Sequence, residues 1–185
     1  VKNPEKSLRK KFEISEDDFL AVYVGIVSFN RGVTDILYAL PLLDPKVKFV
    51  TMGLMRPAFK VEFDRIVEEL GINDRVYCLD PVPSEDVSTW VSDADVSLTT
   101  MNRVCLSYVY TLPNKLFESV QGGVPIIGPD SPEIIRIVDQ YKCGLVYKDS
   151  DSVDLADKIN MLFRDRDLLS TLAVGASCAG NDLCW

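Results

Sequence analysis

Residues Leu112–Pro125 read LPNKLFESVQGGVP: a turn opens a short helix, a glycine pair ends it, and an apolar strand follows at once. Pro113 suits the first helical position, because its ring fixes φ and its missing N–H is not needed there. Gly122 and Gly123 supply the stop. With the helix starting at Pro113, the free amides of Asn114 and Lys115, the positive end of the helix dipole and the Lys115 ammonium gather where an anion such as a phosphate fits. Glu118, about one turn on, can accept hydrogen bonds from neutral hydroxyls but repels a phosphate set beside it. A phosphorylated sugar or a nucleotide ribose offers both groups; an ordinary surface helix of mixed charge accounts for the same residues.

Outward from this stretch the same strand-then-helix unit recurs. FLAVYVGIV (Phe19–Val27) is a nearly continuous apolar run, as a central parallel strand requires. It ends in the turn SFNRG, and Val33, Ile36, Leu37 and Leu40 follow at helical spacing, leaving a loop from Gly25 to Gly32. VKFVTMG (Val47–Gly53) is a second strand, and Phe59, Phe63, Ile66, Val67 and Leu70 share one helical face before Gly71. RVYCLDPVP (Arg75–Pro83) is a third strand, followed by a short helix over Ser84–Val91 with Trp90 on its packed side. DVSLTT (Asp95–Thr100), VPIIGPD (Val124–Asp130) and CGLVY (Cys143–Tyr147) make a fourth, fifth and sixth. Ser131 and Pro132 form a cap and first-turn signal for a helix carrying Ile134, Ile135 and Val138. Two closing helices bury Leu155, Ala156, Ile159, Leu162 and Phe163, then Leu168, Leu169, Leu172 and Ala176.

Six strands separated by helices predict an α/β fold: a Rossmann-like parallel six-stranded sheet with helices on both faces, forming one domain over residues 1–185. Residues 1–18 are a lead-in, with a polar helix over 4–13 and the basic run Lys2–Lys11 read as a solvated linker. In such sheets ligands bind beyond the carboxyl ends of the strands, near the switch in strand order. The loops at those ends are 25–32, 53–56, 80–83, 99–114 and 128–133. The Gly25–Gly32 loop lacks a full G-x-G-x-x-G, and no G-x-x-x-x-G-K-[ST] occurs, so neither a dinucleotide fingerprint nor a Walker-type hydrolase is indicated.

Composition narrows the chemistry. The chain has 185 residues, 47% of them hydrophobic, and a net charge of −8, enough for a substantial core and unsuited to a broad nucleic-acid surface or a polybasic membrane patch. Any phosphate site must be local. Histidine is absent, which removes the commonest general base and any imidazole metal site. The five cysteines, with no C-x-x-C pairing and an odd count, favour reduced thiols in a cytoplasmic protein, most of them buried as small hydrophobes. No apolar run approaches the roughly 20 residues that cross a bilayer. A start at Val1 without initiator methionine is read as a domain of a longer polypeptide. Asp93-Ala94-Asp95 admits a metal reading, but Asp95 leads straight into a strand and Asp93 can cap or face water, so no metal ligand is assigned.

The run Pro113–Ile134, PNKLFESVQGGVPIIGPDSPEI, with VGIVSFNRG before it and CGLVY after it, resembles the C-terminal, donor-binding domain of retaining GT-B glycosyltransferases of family four, from about Leu20 to the last helix. The resemblance implies transfer of a sugar from a nucleoside-diphosphate sugar to an acceptor with retention. The acceptor, a glycan, lipid or small molecule, would sit on an N-terminal domain outside this chain, which alone would bind but not transfer. Arg31 and Lys115 would carry the catalytic charge stabilisation on the leaving diphosphate, assisted by the Asn114 amide and the neighbouring Asn30 and Leu116. Glu118 would bind the ribose, and the loop carrying Asp80, Pro81 and Val82 would pack the base. Gly25 and Gly53 would admit the ligand to the backbone. No cofactor or metal is implied, no nucleic-acid partner, and membrane contact only through other parts of the protein.

Two positions depart from the family pattern. The glutamate expected eight residues before Glu118 is Tyr110, and the arginine expected after Gly25 is Ile26. A non-catalytic nucleotide-binding or regulatory module of the same fold is therefore the alternative. A sugar-nucleotide epimerase stands behind both, because it needs acid and base groups that a histidine-free chain does not offer. Three further readings stay open. Arg31 is a phosphate ligand or a solvated turn residue, Tyr108 and Tyr110 are lid residues or loop packing, and Glu133 is a helix-start carboxylate favoured by the dipole.

Overall fold

All six apolar runs become strands in a computed structural model that describes residues 5–183. In chain order the elements are α1 (Leu8–Phe12), β1 (Phe19–Val24), α2 (Val33–Ala39), β2 (Val47–Met52), α3 (Pro57–Glu69), β3 (Val76–Leu79), α4 (Val87–Val91), β4 (Val96–Leu98), α5 (Leu106–Val109), α6 (Asn114–Gln121), β5 (Ile126–Pro129), α7 (Pro132–Tyr141), β6 (Gly144–Tyr147), α8 (Ser152–Arg164) and α9 (Arg166–Asp182). The strands form one sheet in the order β3-β2-β1-β4-β5-β6, and every neighbouring pair is parallel.

β1 is buried along its whole length, and its period-2 alternation sorts its side chains between two layers. Phe19, Ala21 and Tyr23 pack with Ile36, Phe59 and Leu155, from α2, α3 and α8. Leu20, Val22 and Val24 pack with Leu8, Val87 and Val91, from α1 and α4. A third cluster joins α6, α7 and α9 to β5 through Leu116, Ile126 and Ala179. Each large aliphatic or aromatic side chain buried this way stabilises the fold by roughly 1.5–3 kcal/mol at most. α6 ends in paired hydrogen bonds from Gly123 N to Val120 O and from Val124 N to Ser119 O, with Gly123 at φ +71, so the glycine stop forms as read.

Several expectations need correction. The strands are shorter than the apolar runs, because Gly25 turns the chain out of β1 and Val27 keeps only a single bridge to Met55. Pro113 is the cap of α6, extended at ψ 146, and Asn114 is the first helical residue. Ser131 occupies the cap of α7, but its buried hydroxyl has no partner. Ile137 rather than Ile135 faces the core of α7, because Ile134, Ile137 and Val138 fall at the i, i+3, i+4 spacing of one face. The short helix α5 has no counterpart in the sequence reading.

The lead-in is not a solvated linker over its described part. Leu8 and Ile14 are buried, and Arg9 is tied to Asp95; Lys2 lies outside the described residues. Among the described cysteines, Cys78, Cys105 and Cys178 are exposed and Cys143 is buried, since the first three sit on an edge strand, a surface loop and an outer helix face. Cys184 lies outside the described residues.

Candidate functional site

Strand order reverses between β1, whose next neighbour is β2, and β4, whose next neighbour is β5. The connections that follow these two strands diverge and leave a crevice at their carboxyl ends. A cleft of about 510 Å³ opens there, walled by the loops after β1, β2 and β3, by α5, and by the first turns of α6.

Lys115 lies at its floor, 7% exposed. Its Nζ donates to Thr100 O at 2.7 Å and sits 4.0 Å from the centre of the Tyr23 ring. Burial first, and then the charge of Arg31, hold the Lys115 ammonium well below its ordinary pKa, with Glu118 opposing them. Glu118 is shifted the other way: burial raises its carboxyl, and Lys115 partly offsets the rise. Burial also pushes the Tyr23 phenol well up, and its hydroxyl donates to Ile26 O at 3.0 Å.

Arg31 reaches the same cleft from the loop after β1. Its guanidinium lies 5.2 Å over the Tyr108 ring and Nη1 is 3.6 Å from Met101 Sδ. Thr100 ties the two residues together, since its hydroxyl donates to the main-chain Arg31 O at 3.1 Å while its carbonyl takes the Lys115 ammonium. Gly32 follows at φ +73, where a Cβ would stand 2.6 Å from Thr100 Cβ, so this turn needs glycine. The open amides at the start of α6 belong to Asn114 and Lys115, because the Leu116 N–H is already taken by Pro113 O.

Eight of the residues read from the sequence line the cleft together: Gly25, Arg31, Gly53, Pro81, Val82, Asn114, Lys115 and Glu118. Three do not. Leu116 is fully buried in the α6–α9 cluster, because on a helix it points about 160° away from Glu118. Asp80 is exposed off the cleft, since the alternation that turns Leu79 inward turns its neighbour outward. Asn30, in the left-handed conformation at φ 61, sits exposed at the tip of the turn. Gly53 also has a different reason to be glycine: at φ +142 a Cβ would stand 2.1 Å from Gly25 O, so it lets the loops after β1 and β2 pack backbone on backbone.

Tyr23, Thr100 and Met101 escaped the sequence reading. Their one signal was position, at or just past the ends of β1 and β4. Tyr108 lines the cleft, whereas Tyr110 is 63% exposed and lies off it. Glu133, in the first turn of α7, pairs with Arg136. Asp93 and Asp95 belong to the opposite end of β4, where they accept from Ser7, Arg9 and Leu20. Among the described residues no group of three acidic or thiol side chains is placed to hold a metal ion, and no helix is long and apolar enough to cross a membrane.

Known proteins resemble this chain in sequence or in fold. The putative glycosyltransferase EpsD of Bacillus subtilis is 26% identical over 175 residues, 91% of this chain and 42% of that protein. The Anabaena protein HepE, solved in complex with UDP, superimposes with a TM-score of 0.85 at 18% identity, over 97% of this chain and 49% of that one. The C-terminal domain of the group 1 glycosyl transferase LpcC of Francisella tularensis gives a TM-score of 0.74 at 17% identity, over 89% and 86% of the two chains. The chain spans less than half the length of the curated relatives it matches. The family model for glycosyl transferases group 1 matches residues 4–176, almost the whole chain, which therefore belongs to that family.

Proposed function

We propose that the cleft binds the nucleoside-diphosphate sugar of a retaining glycosyltransferase, with this chain as its donor-binding domain. The observation that carries this reading is the meeting of Arg31, from the loop after β1, with Lys115 and Glu118 of α6 in one cleft at the reversal of strand order. The diphosphate would lie between the Arg31 guanidinium and the open end of α6, where amides and dipole favour an anion. Glu118 would accept from the ribose hydroxyls, and Pro81 and Val82 would flank the base. As the bond to the sugar breaks, negative charge grows on the leaving phosphate oxygen, and fixed cations in a partly dry site stabilise it without reorganising. Two cations and a helix end give this charge a counterpart without a metal, so the reaction is proposed to be metal-independent. The acceptor, a glycan, lipid or small molecule, would enter from a second domain facing the cleft. The exposed free cysteines suit a reducing, cytoplasmic setting.

Titration calorimetry with UDP, GDP and ADP tests this. At least one should bind saturably, and both Lys115→Met and Glu118→Gln should weaken it by about ten- to a hundredfold, the range of a charge-assisted hydrogen bond. No binding by any of the three at millimolar concentration would favour the second reading in its regulatory, non-catalytic form. That reading has its own support in Ile26, which stands on the cleft wall where the family resemblance calls for arginine.

A further inference from the structure

Arg31 and Lys115 set an electrostatic problem that their surroundings answer. Both cations line one cleft, and the guanidinium is close enough to disfavour the charged form of Lys115. Arg31 makes no ion pair among the described residues, so repulsion from Lys115 would drive its long, flexible side chain towards water. It is held back instead. Thr100 fixes its main-chain carbonyl, Met101 Sδ meets Nη1, and the Tyr108 ring covers the guanidinium.

Tyr108 belongs to α5, whose residues bury no side chain in the core. The segment is tied to the sheet by Arg103, which pairs with Asp130 at 2.8 Å and Asp149 at 3.4 Å. The place of α5 over the cleft is therefore not a by-product of core packing. A cation lying over an aromatic face is attracted by the ring quadrupole and spends none of its N–H donors there.

We propose that Tyr108 is a positioning residue, whose ring face keeps the Arg31 guanidinium in the cleft with the donors not turned to Met101 free for a diphosphate. This rests on the diphosphate role given to Arg31 above, and two experiments separate the two claims.

The first uses no ligand. In proton NMR the Arg31 side-chain signals should be shifted upfield by the Tyr108 ring current, return to ordinary positions in Tyr108→Leu, and stay shifted in Tyr108→Phe. Unshifted signals in the native protein, or shifts that survive Tyr108→Leu, overturn the proposal whatever the protein binds.

The second titrates UDP, GDP and ADP beside their parent nucleosides. Tyr108→Leu should weaken the diphosphate that binds by about two- to fivefold, leave its nucleoside unchanged, and be rescued by Tyr108→Phe. In an Arg31→Gln background the same substitution should do nothing. Equal loss for nucleoside and diphosphate, tighter diphosphate binding, or a loss that persists without Arg31 would each overturn it. If no nucleotide binds the native protein, the proposed function falls, while the NMR result still decides whether Tyr108 places Arg31.

Discussion

The two ends of β4 hold two cations of equal burial and opposite circumstance. Arg9 and Lys115 are each 7% exposed. At the amino end, Arg9 donates to the Asp95 carboxylate at 2.7 Å and to the carbonyls of Ser15 and Asp18, and Asp95 takes a further bond from Leu20 N. At the carboxyl end, Lys115 has a neutral carbonyl, an aromatic face and Arg31 as a second positive charge nearby, with Glu118 near enough to offset burial and Arg31 only in part and not paired to it. A buried charge matched by a carboxylate holds the fold together; here it fastens the lead-in under the sheet. One that is left short of an anion costs stability, a cost that the proposed diphosphate would offset by supplying the anion.

Arg9→Met should sharpen that contrast most. It leaves Asp95 with the Leu20 amide and, as its one cation, Arg166, 3.5 Å away and itself half exposed, and empties two carbonyls. Breaking a largely buried pair costs about 3–5 kcal/mol, and the residual partner and partial exposure of Asp95 place this case near the lower limit. Urea unfolding should show that loss with nucleotide affinity unchanged. Lys115→Met should behave in the reverse way. Removing a poorly matched buried charge while keeping the volume should raise stability by about 1 kcal/mol as diphosphate binding weakens by about ten- to a hundredfold. A destabilisation equal to that of Arg9→Met would break the comparison and make Lys115 a structural residue.

The sequence showed this contrast only on one side. Lys115 was legible because it shares eight consecutive helical residues with Glu118 and an N-terminus, all local features. Arg9 was misread as solvated because its partner lies far along the chain, and only the strand order places Asp95 above α1. The sheet itself was legible because β1 and β5 are buried on both faces and read as apolar runs, with β2 interrupted only at Lys48 and Thr51. Tyr108 stayed ambiguous for the opposite reason. α5 has four residues and no buried face, so no hydrophobic period marks it, and what fixes its place is the ion pair from Arg103 two loops away. Leu116 and Asp80 were assigned to the cleft by adjacency in sequence, which neither a helix nor a strand preserves in space.

The smallest expected effect is also the most discriminating, because stability and binding should move in opposite directions with pH. Lys115 binds its proton less tightly in the folded protein than in the unfolded chain. Between its folded value and the ordinary lysine value the unfolded state therefore holds more protons, and stability rises with pH through that window. An anion in the cleft favours the ammonium, so diphosphate affinity should fall as pH rises through the same folded value. The uptake is a fraction of one proton, which amounts to about 0.5 kcal/mol per pH unit. Glu118, whose carboxyl is raised, sets the acid flank: the ionised carboxylate accepts from a ribose hydroxyl more strongly than the protonated group does, so affinity falls as pH drops through its value. Calorimetry in buffers of different ionisation enthalpy should record proton uptake on the alkaline side and release on the acid side. Lys115→Met should erase the first and Glu118→Gln the second. Stability and affinity that rise and fall together across the alkaline window would mean that the cleft does not receive its anion at Lys115.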